Sequence, residues 1–167
     1  MRHWKSIFGA IILAVSPVTG FADDASVLLQ VDVQLTADTK ATTAEFSLAD
    51  LQAMPVISFE TATIWTEGVQ KFTGVSLAEL NRQLGITEGI LELQAVNDYV
   101  VEFPVSGAVD GGPIIAFKRN DALMSRREKG PLWIVFPYDS TPDYQTEEIF
   151  SKSVWQLVRI IVKPEAE

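Results

Sequence analysis

The run Val69-Gln70-Lys71-Phe72-Thr73-Gly74-Val75-Ser76-Leu77-Ala78-Glu79-Leu80-Asn81-Arg82-Gln83-Leu84-Gly85 passes from strand to helix without a linker. Its opening, residues 69–72, reads as a strand. Ser76 then stands where a helix needs an N-cap, and Glu79 is placed to complete a capping box. Leu77, Leu80 and Leu84 form one apolar stripe, and Gly85 stops the helix. Strands punctuated by short capped helices make an α+β domain, strand-rich, with a mixed sheet.

The neighbouring segments extend this pattern. Upstream, Thr66-Glu67-Gly68 turns a β-branched and aromatic strand, residues 56–65, back into residues 69–72. Ser47 with Asp50 opens another short helix, Leu48 and Leu51 inward, stopped before Pro55. Residues 27–35 alternate Leu29, Val31, Val33 and Leu35 with Gln30, Asp32 and Gln34, as a half-buried strand does. Residues 36–44 read as a polar turn. Downstream, Leu91, Leu93 and Ala95 alternate with Glu92 and Gln94, and Asn97-Asp98 turns the chain into residues 99–103. Residues 107–113 read as a loop and 114–118 as a strand ended by Asn120-Asp121. The near-continuous apolar run 132–136 predicts a central strand. Residues 137–148 form a long polar loop. Residues 154–162 close the domain, with Trp155, Leu157 and Ile161 opposing Gln156, Val158 and Ile160.

The chain has 167 residues, no cysteine and one histidine, His3. Without thiolate or imidazole beyond position 3, zinc enzymes, thiol proteases and Ser-His-Asp hydrolases are excluded. The net charge of −9 repels phosphate backbones, so nucleic acid is a poor partner. Arg2, Lys5, the apolar stretch 7–15, Pro17 and Gly20-Phe21-Ala22 read as a signal peptide over residues 1–22, cleaved before Asp23. Residues 23–167 are then the exported domain, periplasmic or secreted, and no later stretch is long and apolar enough to span a membrane. Arg2 and Lys5 are separated, so the leader reads as a signal for unfolded export rather than a paired-arginine one.

Four short motifs carry a resemblance. They are Phe72-Thr73-Gly74-Val75-Ser76-Leu77 with Leu80, Asn97-Asp98-Tyr99 with Pro104, Lys129-Gly130-Pro131-Leu132 with Phe136-Pro137-Tyr138, and Ser153-Val154-Trp155-Gln156-Leu157. In this order, from about Phe46 to Val162, they resemble the molybdopterin-binding oxidoreductase domain of sulfite oxidases and their small bacterial relatives. The resemblance implies a sulfite-oxidase-like fold. It also implies a cysteine before the Gly-Val motif, whose thiolate binds molybdenum. Here that stretch is Phe59-Glu60-Thr61-Ala62-Thr63-Ile64-Trp65, and it offers no soft ligand. Enzymes of this family are loaded in the cytoplasm and exported folded, which does not suit the leader. The expectation is a retained fold that has lost its metal, with no cofactor and no catalytic residue. Molybdopterin held without a cysteine is the alternative.

Candidate binding residues follow from residue type and place. Lys118, Arg119, Arg126, Arg127 and Lys129 gather five of the chain's 13 basic residues into one stretch, able to hold an anion or to pair with Asp121 and Glu128 as a solvated loop. Asn97, Asp98 and Tyr99 either present polar groups to a cleft or simply make a turn. Trp65 and Trp155 line a cleft or fill the core. Tyr138 and Asp139, with Tyr144, lie on the long loop, the kind of segment that often carries function. Asp110-Gly111-Gly112-Pro113 is a turn, not a phosphate loop. The functional expectation is a binding module for a small anionic ligand or an envelope protein partner. An oxidoreductase and a structural subunit of an envelope complex are the alternatives.

Overall fold

Two five-stranded sheets form the frame of the chain in the computed structural model, which describes residues 26–34 and 42–165. Residues 1–22, on which the expected signal peptide falls, Leu35 and most of the expected polar turn lie outside the described residues. In chain order the elements are β1 (Val27–Val33), β2 (Thr42–Ser47), α1 (Leu48–Ala53), β3 (Val56–Ala62), β4 (Val69–Ser76), α2 (Leu77–Leu84), β5 (Ile90–Ala95), β6 (Val100–Pro104), β7 (Ile114–Arg119), β8 (Ala122–Leu123), β9 (Trp133–Val135), α3 (Glu147–Ser151) and β10 (Leu157–Lys163).

The first sheet runs β2-β1-β10-β5-β6, and only its β1–β10 pair is parallel, so the sheet is mixed. The second runs β3-β4-β7-β8, with β9 also on β7. One continuous core draws on both: Leu29, Val31, Leu91, Leu93, Leu157, Ile160 and Val162 from the first, Phe72, Val75, Ile114, Ile115, Trp133 and Ile134 from the second. The strand-to-helix run folds as its sequence dictates. Ser76 Oγ accepts the Glu79 N–H at 3.0 Å, and Gly85 ends α2 in the left-handed region at φ 68°. At Gly74, β4 and β7 approach so closely that a Cβ would lie 2.1 Å from the Ile115 carbonyl oxygen.

Six expectations are corrected. Thr42, Thr43 and Ala44 are not turn but β2, because the β-branched pair finds a ladder partner in β1. Glu79 does not complete the capping box at Ser76; its carboxylate pairs with Arg82 and accepts from Gln83, whereas Ser47 and Asp50 make the full box at α1. Trp65 lies beyond the end of β3, in a turn. The run 132–136 is buried but not central: β9 pairs only with β7, plus a single bridge from Trp133 to Trp155. The loop 137–148 folds into 3-10 turns at Tyr138–Ser140 and Pro142–Tyr144 before α3. In β10 the register shifts between Leu157 and Arg159, so the alternation changes phase and Ile160, not Ile161, is buried with Leu157.

Beside the core, Asp32 is only 6% exposed on the far face of β1. Burial alone would raise its pKa, but hydrogen bonds from Thr43, Gln30 and Arg159, with the Arg159 charge, outweigh that and hold it below the usual carboxylate range. This network ties β1 to β2 and β10.

Candidate functional site: an aromatic cleft

A cleft of about 400 Å3 opens among Trp65, Asn97, Tyr99, Phe150, Ser153 and Trp155, with Ala95, Ser151 and Val154 completing its wall. Each side chain is held by local chemistry. Trp65 follows β3 in a turn closed by Thr63, whose Oγ1 accepts the Trp65 N–H at 3.1 Å and lies 2.7 Å from Thr66 Oγ1. Its ring meets four others edge to face: Trp133 at 5.9 Å, Tyr138 at 6.3 Å, Phe150 at 5.8 Å and Trp155 at 5.6 Å between centroids. Trp155 is fixed by the backbone on both sides: Ile134 N–H donates to Val154 O at 2.8 Å, and Leu157 N–H to Leu132 O at 3.0 Å. The β5–β6 turn passes through Asp98 at φ 63° and delivers Tyr99, whose hydroxyl donates to the Ser151 carbonyl at 2.9 Å. That bond joins the turn to the end of α3.

Among the described residues no charged side chain lines the cleft. Its hydroxyl groups are engaged inside the protein. Ser151 Oγ donates to Glu148 O, and Ser153 Oγ donates to Ile149 O at 3.0 Å. Ser153 therefore accepts from Tyr138, whose hydroxyl is 2.6 Å away. Burial, only partly offset by hydrogen bonds to Ser153 and the Phe136 backbone, pushes the Tyr138 phenol up to about 12, so it stays protonated and donates. Neither hydroxyl has a base beside it, and the pair is not a nucleophile with its activator.

Of the residues expected from sequence, Trp65, Asn97, Tyr99 and Trp155 come together around the cleft. Tyr138 lies behind it, 2% exposed, against Trp65 and Phe150. Lys129 reaches the same cluster from the basic loop, its Nζ 4.3 Å from the Trp155 ring centroid and 5.8 Å from that of Trp133. The others are elsewhere. Asp98 is an exposed turn residue, and Asp139 fastens the loop to β3 by accepting the Ala62 N–H at 2.7 Å. Lys118 and Arg119 lie on β7, with Arg119 3.4 Å from Glu128. Arg126 and Arg127 are exposed on a 3-10 turn capped by Ser125 and Glu128. The five basic residues thus do not converge on one point. Phe150 and Ser151 carry no signal in the sequence, Phe150 giving no periodicity in its polar surroundings, and Ser153 and Val154 stand out only as part of the closing motif.

The segment 59–65 was the other focus of the sequence. Thr61 is fully buried, and its Oγ1 accepts the Asp139 N–H at 3.1 Å. Thr63 is spent on the turn at Trp65, and Glu60 is exposed. Among the described residues no group of three or more His, Cys, Asp or Glu gathers as a metal site would require, and no helix is long and apolar enough to cross a membrane.

No protein-family model matches this chain, and no curated protein matches it. A solved structure does: the sulfane dehydrogenase SoxCD from Paracoccus pantotrophus, at TM-score 0.60 and 17% identity over 83% of this chain. The shared feature is the fold. The chain is strand-rich α+β with a sulfite-oxidase-like architecture, and it spans 39% of the length of the dehydrogenase chain it matches.

Proposed function

We propose that this protein is an exported, non-enzymatic binding module in which a sulfite-oxidase-like fold presents the aromatic cleft to a small ligand and no longer carries molybdenum. The observation that carries the reading is the chemistry of residues 59–65. Where the resemblance puts a thiolate, the side-chain donors are two threonine hydroxyls already committed to internal hydrogen bonds and one outward carboxylate. None supplies the soft, charged sulfur that such a metal takes, and the chain has no cysteine anywhere to substitute. The residues present do not fit the group. What remains is a concave site of ligand size, walled by aromatic rings with a few polar groups, as small-molecule sites commonly are.

The basic loop contributes through Lys129, which backs Trp155; Arg126 and Arg127 offer a solvated face to an anion or an envelope partner. Native mass spectrometry of protein taken from the exported compartment tests the reading. A small-molecule adduct that disappears in Trp155→Ala is the expected result. An adduct of equal occupancy in that variant would move the site away from the cleft. The second reading, a molybdopterin-dependent oxidoreductase, is favoured by the fold shared with a dehydrogenase, and metal content separates the two.

A further inference from the structure

The hydrogen bonds around the cleft determine what kind of ligand its walls can hold. The hydroxyl hydrogens of Tyr99, Ser151 and Ser153 are all given to main-chain carbonyls. Three N–H donors on the lining side chains are left: the indole Nε1 of Trp65, the indole Nε1 of Trp155 and the amide Nδ2 of Asn97. None of them has a partner among the described residues, and Asn97 turns its oxygen to its own turn, 3.4 Å from the Tyr99 N. The lining side chains therefore carry unpartnered N–H donors and no free hydroxyl hydrogen, on walls that are otherwise aromatic and, among the described residues, uncharged. A carboxylate or phosphate buried there would meet no cation on the lining, since Lys129 contacts Trp155 without lining the cleft. A planar ring, in contrast, gains the edge and face contacts that Trp65, Phe150 and Trp155 present.

We infer that the cleft takes a neutral planar ring carrying carbonyl oxygens, of the quinone class, its oxygens accepting from the two indoles and from Asn97. The inference rests on the binding-module reading and narrows it to a ligand chemistry. Donors that a bound ligand covers and cuts off from water favour a ligand that supplies acceptors, because the analogue without them leaves those donors unpaired.

Three naphthalene-based probes separate the possibilities: 2-methyl-1,4-naphthoquinone, naphthalene and 1-naphthoate. The quinone cannot be trapped as a thiol adduct, because the chain has no cysteine. Each is titrated into the purified protein while the indole N–H resonances are followed by two-dimensional 15N–1H NMR. The expected result is tightest binding by the naphthoquinone, with downfield shifts at the Trp65 and Trp155 indoles. Trp65→Phe and Trp155→Phe, which keep a ring and remove the N–H, each weaken it roughly three- to ten-fold, while naphthalene binding changes little. Equal affinity for naphthalene and the quinone, with no indole shift, overturns the acceptor assignment and leaves the cleft as a binding site. Tightest binding by 1-naphthoate overturns it in favour of an anion. If none of the three moves any cleft resonance, the quinone-class assignment is overturned, and the native-adduct measurement decides the binding-module reading separately.

Discussion

At Trp155 the aromatic cleft meets the basic loop, and the two are held in different ways. The cleft is assembled from three separate stretches, the turn after β3, the β5–β6 turn and the run from the end of α3 to the approach to β10, and its rings are locked edge to face around Trp65. The loop is one continuous stretch whose shape comes from a reciprocal Ser125–Glu128 cap, with its arginines left in solvent. Charge density along a sequence therefore marks a solvated turn here, whereas the concave surface comes from residues far apart in the chain that only folding brings together. The loop is joined to the cleft through its backbone: Gln156 N–H donates to Lys129 O at 3.0 Å, and the Gln156 side chain to Arg126 O at 2.8 Å.

Trp133, wholly buried behind the cleft and 5.3 Å from Phe72, is where this contrast is sharpest. Trp133→Ala is expected to cost about 3–5 kcal/mol in urea unfolding; a loss under about 1 kcal/mol would detach the cleft from the core. Next in size is Asp32. Its folded-state pKa lies below the unfolded value, so its stabilisation is present above that unfolded value and is lost as pH falls through the folded one. Asp32→Ala is expected to cost about 1–3 kcal/mol at neutral pH and to flatten the acid limb of the stability curve. An unchanged acid limb would mean that the Thr43 and Arg159 bonds contribute nothing.

Tyr138→Phe removes the donor to Ser153 and is expected to cost about 1 kcal/mol in the same unfolding assay, with the cleft otherwise intact. No measurable loss would mean that the buried hydroxyl pair is not stabilising. Smallest is the charge reversal Arg126→Glu with Arg127→Glu, expected to move Tm by no more than about 2 °C. A drop of many degrees would make the loop's arginines structural and erase the difference between the two regions.

The fold was legible where local chemistry is self-contained. Ser76, Gly85 and Ser47 with Asp50 announce helix ends by themselves, and the alternation of Leu91, Leu93 and Ala95 survives into β5 unchanged. Gly74 and Gly130 belonged to the motifs that pointed to the fold, and both turn out to be packing positions: a Cβ would meet the Ile115 oxygen at the first and the Met124 oxygen, at 2.0 Å, at the second. They identify an architecture and carry no chemistry. The phase of β10 was not legible, because the irregularity after Leu157 depends on its partner β5. The cleft was half legible. Trp65, Asn97, Tyr99 and Trp155 stand out by type, but Phe150 and Ser151 acquire their place only when α3 packs beside the β5–β6 turn, a long-range contact that no periodicity records.

Molybdenum and pterin content, measured on protein taken from its native compartment without refolding, tests the central claim most directly. A cleft-bearing module whose residues 59–65 offer only committed hydroxyls and an exposed carboxylate is expected to carry far less than one molybdenum per chain and no extractable pterin. Near-equimolar molybdenum together with pterin would contradict the account and establish an oxidoreductase that holds its metal without a cysteine.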